Sequence, residues 1–242
     1  MKKIVIVGAS SGIGHEVAKL YIEAGWQVVA AARRIDRLQT LVQIAPDRVK
    51  VVALDITAPD APKTLLQMLG GETKADVYFH VAGVGHNNIP LDLKTEVDTV
   101  NTNSMGFVQC VATAFNYFRD NGGGHIAVVS SIAGTKGLGS APAYSATKRM
   151  QSHYIQSLAR LSKMTKANIK FTDIRPGFID TDLLADGNNY PMILPLAPSA
   201  KRIFKALNRR RRKAIIDWKY WFLVQFWKSI PDWIWERLPW KL

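Results

Sequence analysis

The run Lys3–Val7 followed at once by Gly8-Ala-Ser-Ser-Gly12-Ile-Gly14 limits what this chain can fold into more than any other stretch. A short β-branched run reads as a buried strand. Beyond the glycines, Val17, Ala18, Tyr21 and Ile22 recur at helical spacing. Strand, glycine-rich turn and helix in that order begin a nucleotide-binding unit. The glycines let backbone approach a pyrophosphate, and the helix start offers unpaired N–H groups at the positive end of its dipole. Gly8, Gly12 and Gly14, with Ser10, Ser11 and Ile13 between them, are the expected phosphate cradle. A glycine cluster alone is weak; its place between strand and helix gives it weight.

Gly25 ends the helix, and Gln27–Ala32 reads as a second strand. In a dinucleotide fold an acidic residue at that strand's end holds the adenosine ribose and selects NAD. Here the chain continues Arg33-Arg34, and arginine suits a 2′-phosphate through charge-assisted, bidentate hydrogen bonds. The expected cofactor is therefore NADP(H), with Arg33 as the contact and Arg34 the lesser candidate. Further strands are expected at Val49–Leu54, Val77–Val81, Ile126–Ser130 and Lys170–Ile174, with a last one at Ala214–Trp218. Helical stretches fall between them, one around residues 92–118. This alternation predicts an α/β, Rossmann-type doubly wound sheet of seven mostly parallel strands, with helices on both faces. Ligands of such sheets bind outside the carboxyl ends of the strands, where Gly8, Asp55, Gly83 and Ser131 all fall.

Tyr144-Ser-Ala-Thr-Lys148 lies thirteen residues after Ser131. If it opens a helix, the spacing stacks Tyr144 and Lys148 one turn apart. An ammonium beside a phenol is expected to pull the tyrosine pKa down from ~10, making Tyr144 a general acid or base. The same spacing arises by chance in many helices, so it carries weight only beside the nucleotide-binding start.

Taken in order, Gly8-x-x-x-Gly12-x-Gly14, Asp55, Ala82-Gly83, Asn103, Ser130-Ser131, Tyr144-x-x-x-Lys148 and Pro176-Gly177 with Thr181 resemble the short-chain dehydrogenase/reductase family over residues 1 to about 183. The resemblance implies a proton-donating Tyr144, a Ser131 that orients the substrate carbonyl, and a Lys148 that also binds the nicotinamide ribose. It implies that Asn103 (preferred over Asn101 for its distance to Gly106) kinks a helix and completes a proton relay through water. Asp55 and Ile56 would hold the adenine, Ala82 and Gly83 would line the cofactor, and Pro176, Gly177, Ile179 and Thr181 would hold the nicotinamide end. His80 stands where the family usually has asparagine, and is expected to be a packed or solvent-edge residue rather than a metal ligand. No metal is expected, because no His/Cys/Asp cluster has ligand spacing.

A lone cysteine, Cys110, excludes an internal disulfide and suits a reducing, cytoplasmic setting; no secretory signal is visible. Residues 183–200, rich in Pro, Gly and Asn, are expected to form a mobile lid rather than a regular element. They complete a catalytic unit over residues 1–218. Residues 219–242 read as a Trp-rich, basic, helical extension. The last 42 residues hold 12 Lys/Arg against 3 Asp/Glu, and six of the seven tryptophans fall in the last 25. Three roles fit that composition: an interfacial anchor on the inner face of a membrane, a segment packed on the body or a partner subunit, and nucleic-acid binding. The last lacks any recognisable binding module, so no nucleic acid is expected. The resulting expectation is an NADPH-dependent carbonyl reductase acting on a small, apolar ketone such as a 3-keto acyl compound or keto-lipid, as a homodimer or homotetramer. The alternatives are an alcohol dehydrogenase running in the oxidative direction and an NADP(H)-binding regulatory or scaffold protein.

Overall fold

The computed structural model describes residues 1–184 and 190–239. Seven strands form one parallel sheet: β1 Lys3–Val7, β2 Gln27–Ala32, β3 Val49–Ala53, β4 Val77–His80, β5 Gly124–Val129, β6 Ile169–Pro176 and β7 Lys213–Ile216. Their order is β3-β2-β1-β4-β5-β6-β7, so the winding reverses between β1 and β4 and opens a crevice at their carboxyl ends. Alternation along β1 explains the two layers. Ile4 and Ile6 pack into one core with helices α1 (Gly12–Glu23), α2 (Gln39–Ile44) and α7 (Leu196–Asn208). Val5 and Val7 pack into the other, with α3 (Ala61–Leu69), α5 (Phe107–Asp120) and α6 (Pro142–Met164). A strand covered on both faces has no polar side to show, which is why β1 reads as continuously apolar after Lys3.

Several boundaries differ from the sequence expectation, each for a local reason. The helix expected around 92–118 is a rod of three parts: α4 Leu93–Val100, a π-helical turn Asn101–Gly106, and α5. Residues 196–200, expected to be irregular, are the start of α7. Pro195 and Pro198 sit at and just inside its N-terminus, where a missing N–H costs nothing. β6 runs on to Pro176 because Arg175 and Pro176 still pair with Ile215 and Ile216. The last strand stops at Ile216 instead of Trp218. Asp217 takes the left-handed region (φ 81°), turns the chain, and caps helix α8 (Trp218–Ser229) by accepting from Lys219 N at 3.0 Å. Residues 185–189, central to the expected lid, lie outside the described residues.

The C-terminal segment docks on the body. Tyr220, Val224 and Trp227 of α8 are buried with Ile132, and the Tyr220 hydroxyl accepts from Phe178 N at 3.1 Å and donates to Met192 O at 2.9 Å. A β-carbon on Gly177 would stand 2.2 Å from the Tyr220 ring. Gly177→Ala should therefore cost about 1–3 kcal/mol through overpacking, read as a lower denaturant midpoint.

Candidate active site

The glycine-rich turn joins β1 directly to α1, the strand–turn–helix order read from the sequence. Gly8 has φ 95°, and a β-carbon there would lie 2.4 Å from Ala82 N, so the turn and the end of β4 meet backbone to backbone. Ala82 N donates to Val7 O at 2.9 Å. Ser10 and Ser11 precede α1, which opens with Gly12, Ile13 and Gly14. Ser11 sits at the N-cap without a side-chain cap, and no acid occupies the first turn, so the leading N–H groups of α1 are left for an anion. That donor set fits a dinucleotide pyrophosphate.

Beyond the carboxyl ends of β2 and β3, Arg33, Leu54, Asp55 and Ala58 line a cavity of about 430 Å³. The Asp55 carboxyl is held below its usual range chiefly by hydrogen bonds from Thr57, with the Arg33 charge adding to the effect. Arg34 is exposed and does not line this cavity; Ile56 is buried in the α3/α5 core instead. At the opposite end, Ile179 bridges to Leu194, and Thr181 lies beside Gly12, its Cγ2 3.1 Å from where a Gly12 β-carbon would be. Pro176 and Gly177 close β6 and open that segment.

Between these ends stand the four candidate catalytic residues. Ser131 follows β5 and starts a 3₁₀ turn, Ile132–Thr135; its Oγ accepts from Ala133 N at 3.1 Å. Tyr144 is in the first turn of α6, half-buried, with its hydroxyl close enough to Ser131 for that side chain to influence its titration. Lys148, one turn on and 5 % exposed, places Nζ 5.6 Å from the centre of the Tyr144 ring. Asn103 is fully buried in the π-helical turn, whereas Asn101 is exposed. The Asn103 side chain accepts from Val84 N at 2.9 Å and donates to Val84 O at 2.7 Å, clasping the strand end after Gly83.

The electrostatics depart from expectation at Tyr144. Burial pushes its phenol above the usual value, and the Ser131 hydrogen bond works against that rise. Lys148 itself is pushed down to about 8 by burial, with the Asp173 carboxylate opposing the shift. The expected downward pull of Lys148 on the tyrosine is thus not what sets its direction; desolvation is.

Two participants escaped the sequence reading. Gln151 Oε1 accepts from Lys148 Nζ at 3.2 Å while Gln151 Nε2 donates to Asn103 O at 2.8 Å, so one amide ties the lysine to the π-helical turn. Its spacing, three residues beyond Lys148 on the same helix face, was the available signal. Beneath the site, Asp173 is wholly buried, accepting from Ser130 Oγ at 2.5 Å and ion-paired with Arg175 at 2.7 Å. His80 is packed as expected: its Nδ1 is 2.7 Å from the Tyr78 hydroxyl, Phe107 meets its ring edge-on, and burial lowers its pKa to about 3. Among the described residues no group of three or more His, Cys, Asp or Glu is placed to hold a metal ion.

The profile of the family described as short chain dehydrogenase matches residues 2–190. An uncharacterized oxidoreductase of Myxococcus xanthus is 30% identical over 236 residues, covering 94% of this chain and 92% of that protein. A short-chain dehydrogenase of Burkholderia cenocepacia, solved in complex with NADP, superposes with a TM-score of 0.82 at 19% identity, covering 99% of each chain. A short-chain dehydrogenase of Sphingobium yanoikuyae in complex with NADPH gives 0.81 at 18% identity, covering 98% and 96%.

Proposed function

The chain belongs to the short-chain dehydrogenase family, and from that premise we propose that this oxidoreductase uses NADPH to reduce the carbonyl of a lipophilic ketone in the cytoplasm. One observation carries the reading: the Ser131 and Tyr144 hydroxyls stand close together at the carboxyl end of the sheet, with the buried Lys148 ammonium beside the Tyr144 ring. The family binds a nicotinamide cofactor, which supplies the hydride when bound. The uncapped start of α1 would hold its pyrophosphate, Arg33 its 2′-phosphate, and Asp55 its adenosine, while Thr181 and Ile179 would flank the nicotinamide end.

The residues then divide the work. As charge develops on the substrate oxygen, Ser131 steadies it and Tyr144 gives up its proton. The raised pKa of Tyr144 keeps the phenol protonated at neutral pH, the form an acid needs. Lys148 supports the resulting phenolate at close range, held by Val129 O at 3.0 Å and by Gln151. A lipophilic substrate is supported by the apolar residues of the segment after β6: Leu183, Met192 and Ile193 are exposed, and the Phe178 and Tyr190 rings meet at 4.8 Å in a tilted pair. NADPH oxidation over a panel of ketones of rising chain length tests the reading. Turnover that improves with chain length supports it; tight NADPH binding without turnover of any ketone would replace the enzyme with a cofactor-binding scaffold. The assembly, read as a homodimer or homotetramer, is checked by sedimentation equilibrium.

Gln151 enters as a positioning residue for Lys148. Gln151→Leu leaves Lys148 Nζ and Asn103 O each short of a partner, a loss of ~1–3 kcal/mol, so kcat should fall about tenfold or more. Gln151→Glu should raise the Lys148 pKa above about 8 and carry the alkaline limb of the kcat profile with it. Unmoved profiles in both variants would mean that Lys148 is held without this amide.

A further inference from the structure

Helix α8 carries large apolar side chains around most of its circumference, with Gln225 and Ser229 among those on its outer side, and the body of the protein covers only its inner side. Tyr220, Val224 and Trp227 are buried to 3 % exposure or less. Trp218, Trp221, Phe222 and Phe226 stand in solvent at 64, 49, 59 and 54 %. At about 100° per residue those four occupy an arc of about 140°. Lys219 and Lys228, both exposed, mark its two edges. Trp233, in the short helix Asp232–Trp235 that follows, is 63 % exposed. Large aromatic side chains left this open, and grouped on one helix face, mark a surface that is covered by something else.

We propose that the outer face of α8 docks flat on an anionic lipid surface. Charge decides the occupant. Arg209, Arg210, Arg211 and Lys213 are exposed just upstream, within a segment holding 12 Lys/Arg against 3 Asp/Glu. A second copy docked face to face would set that surplus against itself, whereas an anionic leaflet complements it. The aromatic set suits the same place, because Trp and Phe enter the headgroup boundary while lysine stems reach back to water. The helix has 12 residues, about 18 Å at about 1.5 Å per residue, too short for a hydrocarbon core of about 30 Å. No helix among the described residues is long and apolar enough to cross a membrane. The element lies on the surface.

Docking there would bring the substrate wall to the lipid. Tyr220 of α8 holds Phe178 and Met192 by hydrogen bonds, and Met192 and Ile193 are themselves 43 and 48 % exposed. A keto-lipid would then reach the cleft without crossing water, a corollary that rests on the proposed function while the docking itself does not.

The test is co-sedimentation of the full chain with vesicles of phosphatidylcholine alone or mixed with phosphatidylglycerol. Binding should require the anionic lipid and weaken at high salt. It should drop at least about tenfold both in Trp221→Ser/Phe222→Ser and in Lys219→Glu/Lys228→Glu. Tm and turnover of a short, water-soluble ketone should stay at the parent's level in both double variants, separating lost docking from lost folding. Should turnover be absent in the parent as well, Tm and vesicle binding still decide the docking. Equal partitioning of parent and variants would overturn the proposal. So would a dimer in solution that dissociates only in the aromatic variant, which would give the face to a second copy.

Discussion

Tyr144→Phe should lower kcat by about 10²–10⁴-fold, with Tm and NADPH affinity close to the parent's. The ring stays where it packs in the first turn of α6, so neither the helix nor the neighbouring Lys148 loses a contact surface. What disappears is the single O–H proposed to protonate the substrate oxygen, next to the Ser131 hydroxyl. Ser131 remains as a hydrogen-bond donor to developing charge, which is why the loss stops short of the whole rate enhancement. Single-turnover kinetics at saturating NADPH isolate the step. A fall of less than about tenfold would mean that the proton comes from elsewhere, and the role of Tyr144 would shrink to shaping the cleft.

Arg33→Ala should raise the Kd for NADPH by about 10–150-fold, equivalent to ~1.5–3 kcal/mol for a charge-assisted contact, and leave NADH nearly untouched. The basis is position: Arg33 lines the cavity that Asp55 also lines, and Arg34 does not. Calorimetric titration of both nucleotides against the parent, Arg33→Ala and Arg34→Ala gives the answer directly. If only Arg34→Ala loses NADPH, the contact passes to that residue. A parent that prefers NADH would remove the phosphate site altogether.

The sheet and the glycine turn are legible in the sequence because both depend on local chemistry. Lys3–Val7 is apolar because two helical layers cover it, and Gly8 is glycine because the end of β4 passes within a β-carbon's reach. Tyr144, Lys148 and Ser131 were legible from spacing and order. What escaped depends on contacts between distant segments. Gln151 matters only because the π-helical turn presents Asn103 O to it, 48 positions away along the chain. The raised pKa of Tyr144 follows from burial, which no spacing reveals. Asp217 gave no local warning of its left-handed backbone, so the last strand was drawn two residues too long. The start of α7 was hidden by prolines, which mark helix beginnings as readily as loops.

The clasp formed by the C-terminal segment has a bearing on how the molecule is made. Trp235 Nε1 donates to Gly137 O, Lys136 Nζ reaches Ile230 O, and Tyr220 holds the strand exit at Phe178, so one late stretch ties down both walls flanking Tyr144. Domains form as the ribosome extrudes them, N-terminal parts first, at about 5–20 residues per second. The glycine turn, Arg33 and Asp55 emerge long before Tyr220 and Trp235. Because a domain folds as a unit, the walls flanking Tyr144 gain this fastening only once Tyr220 and Trp235 have been made.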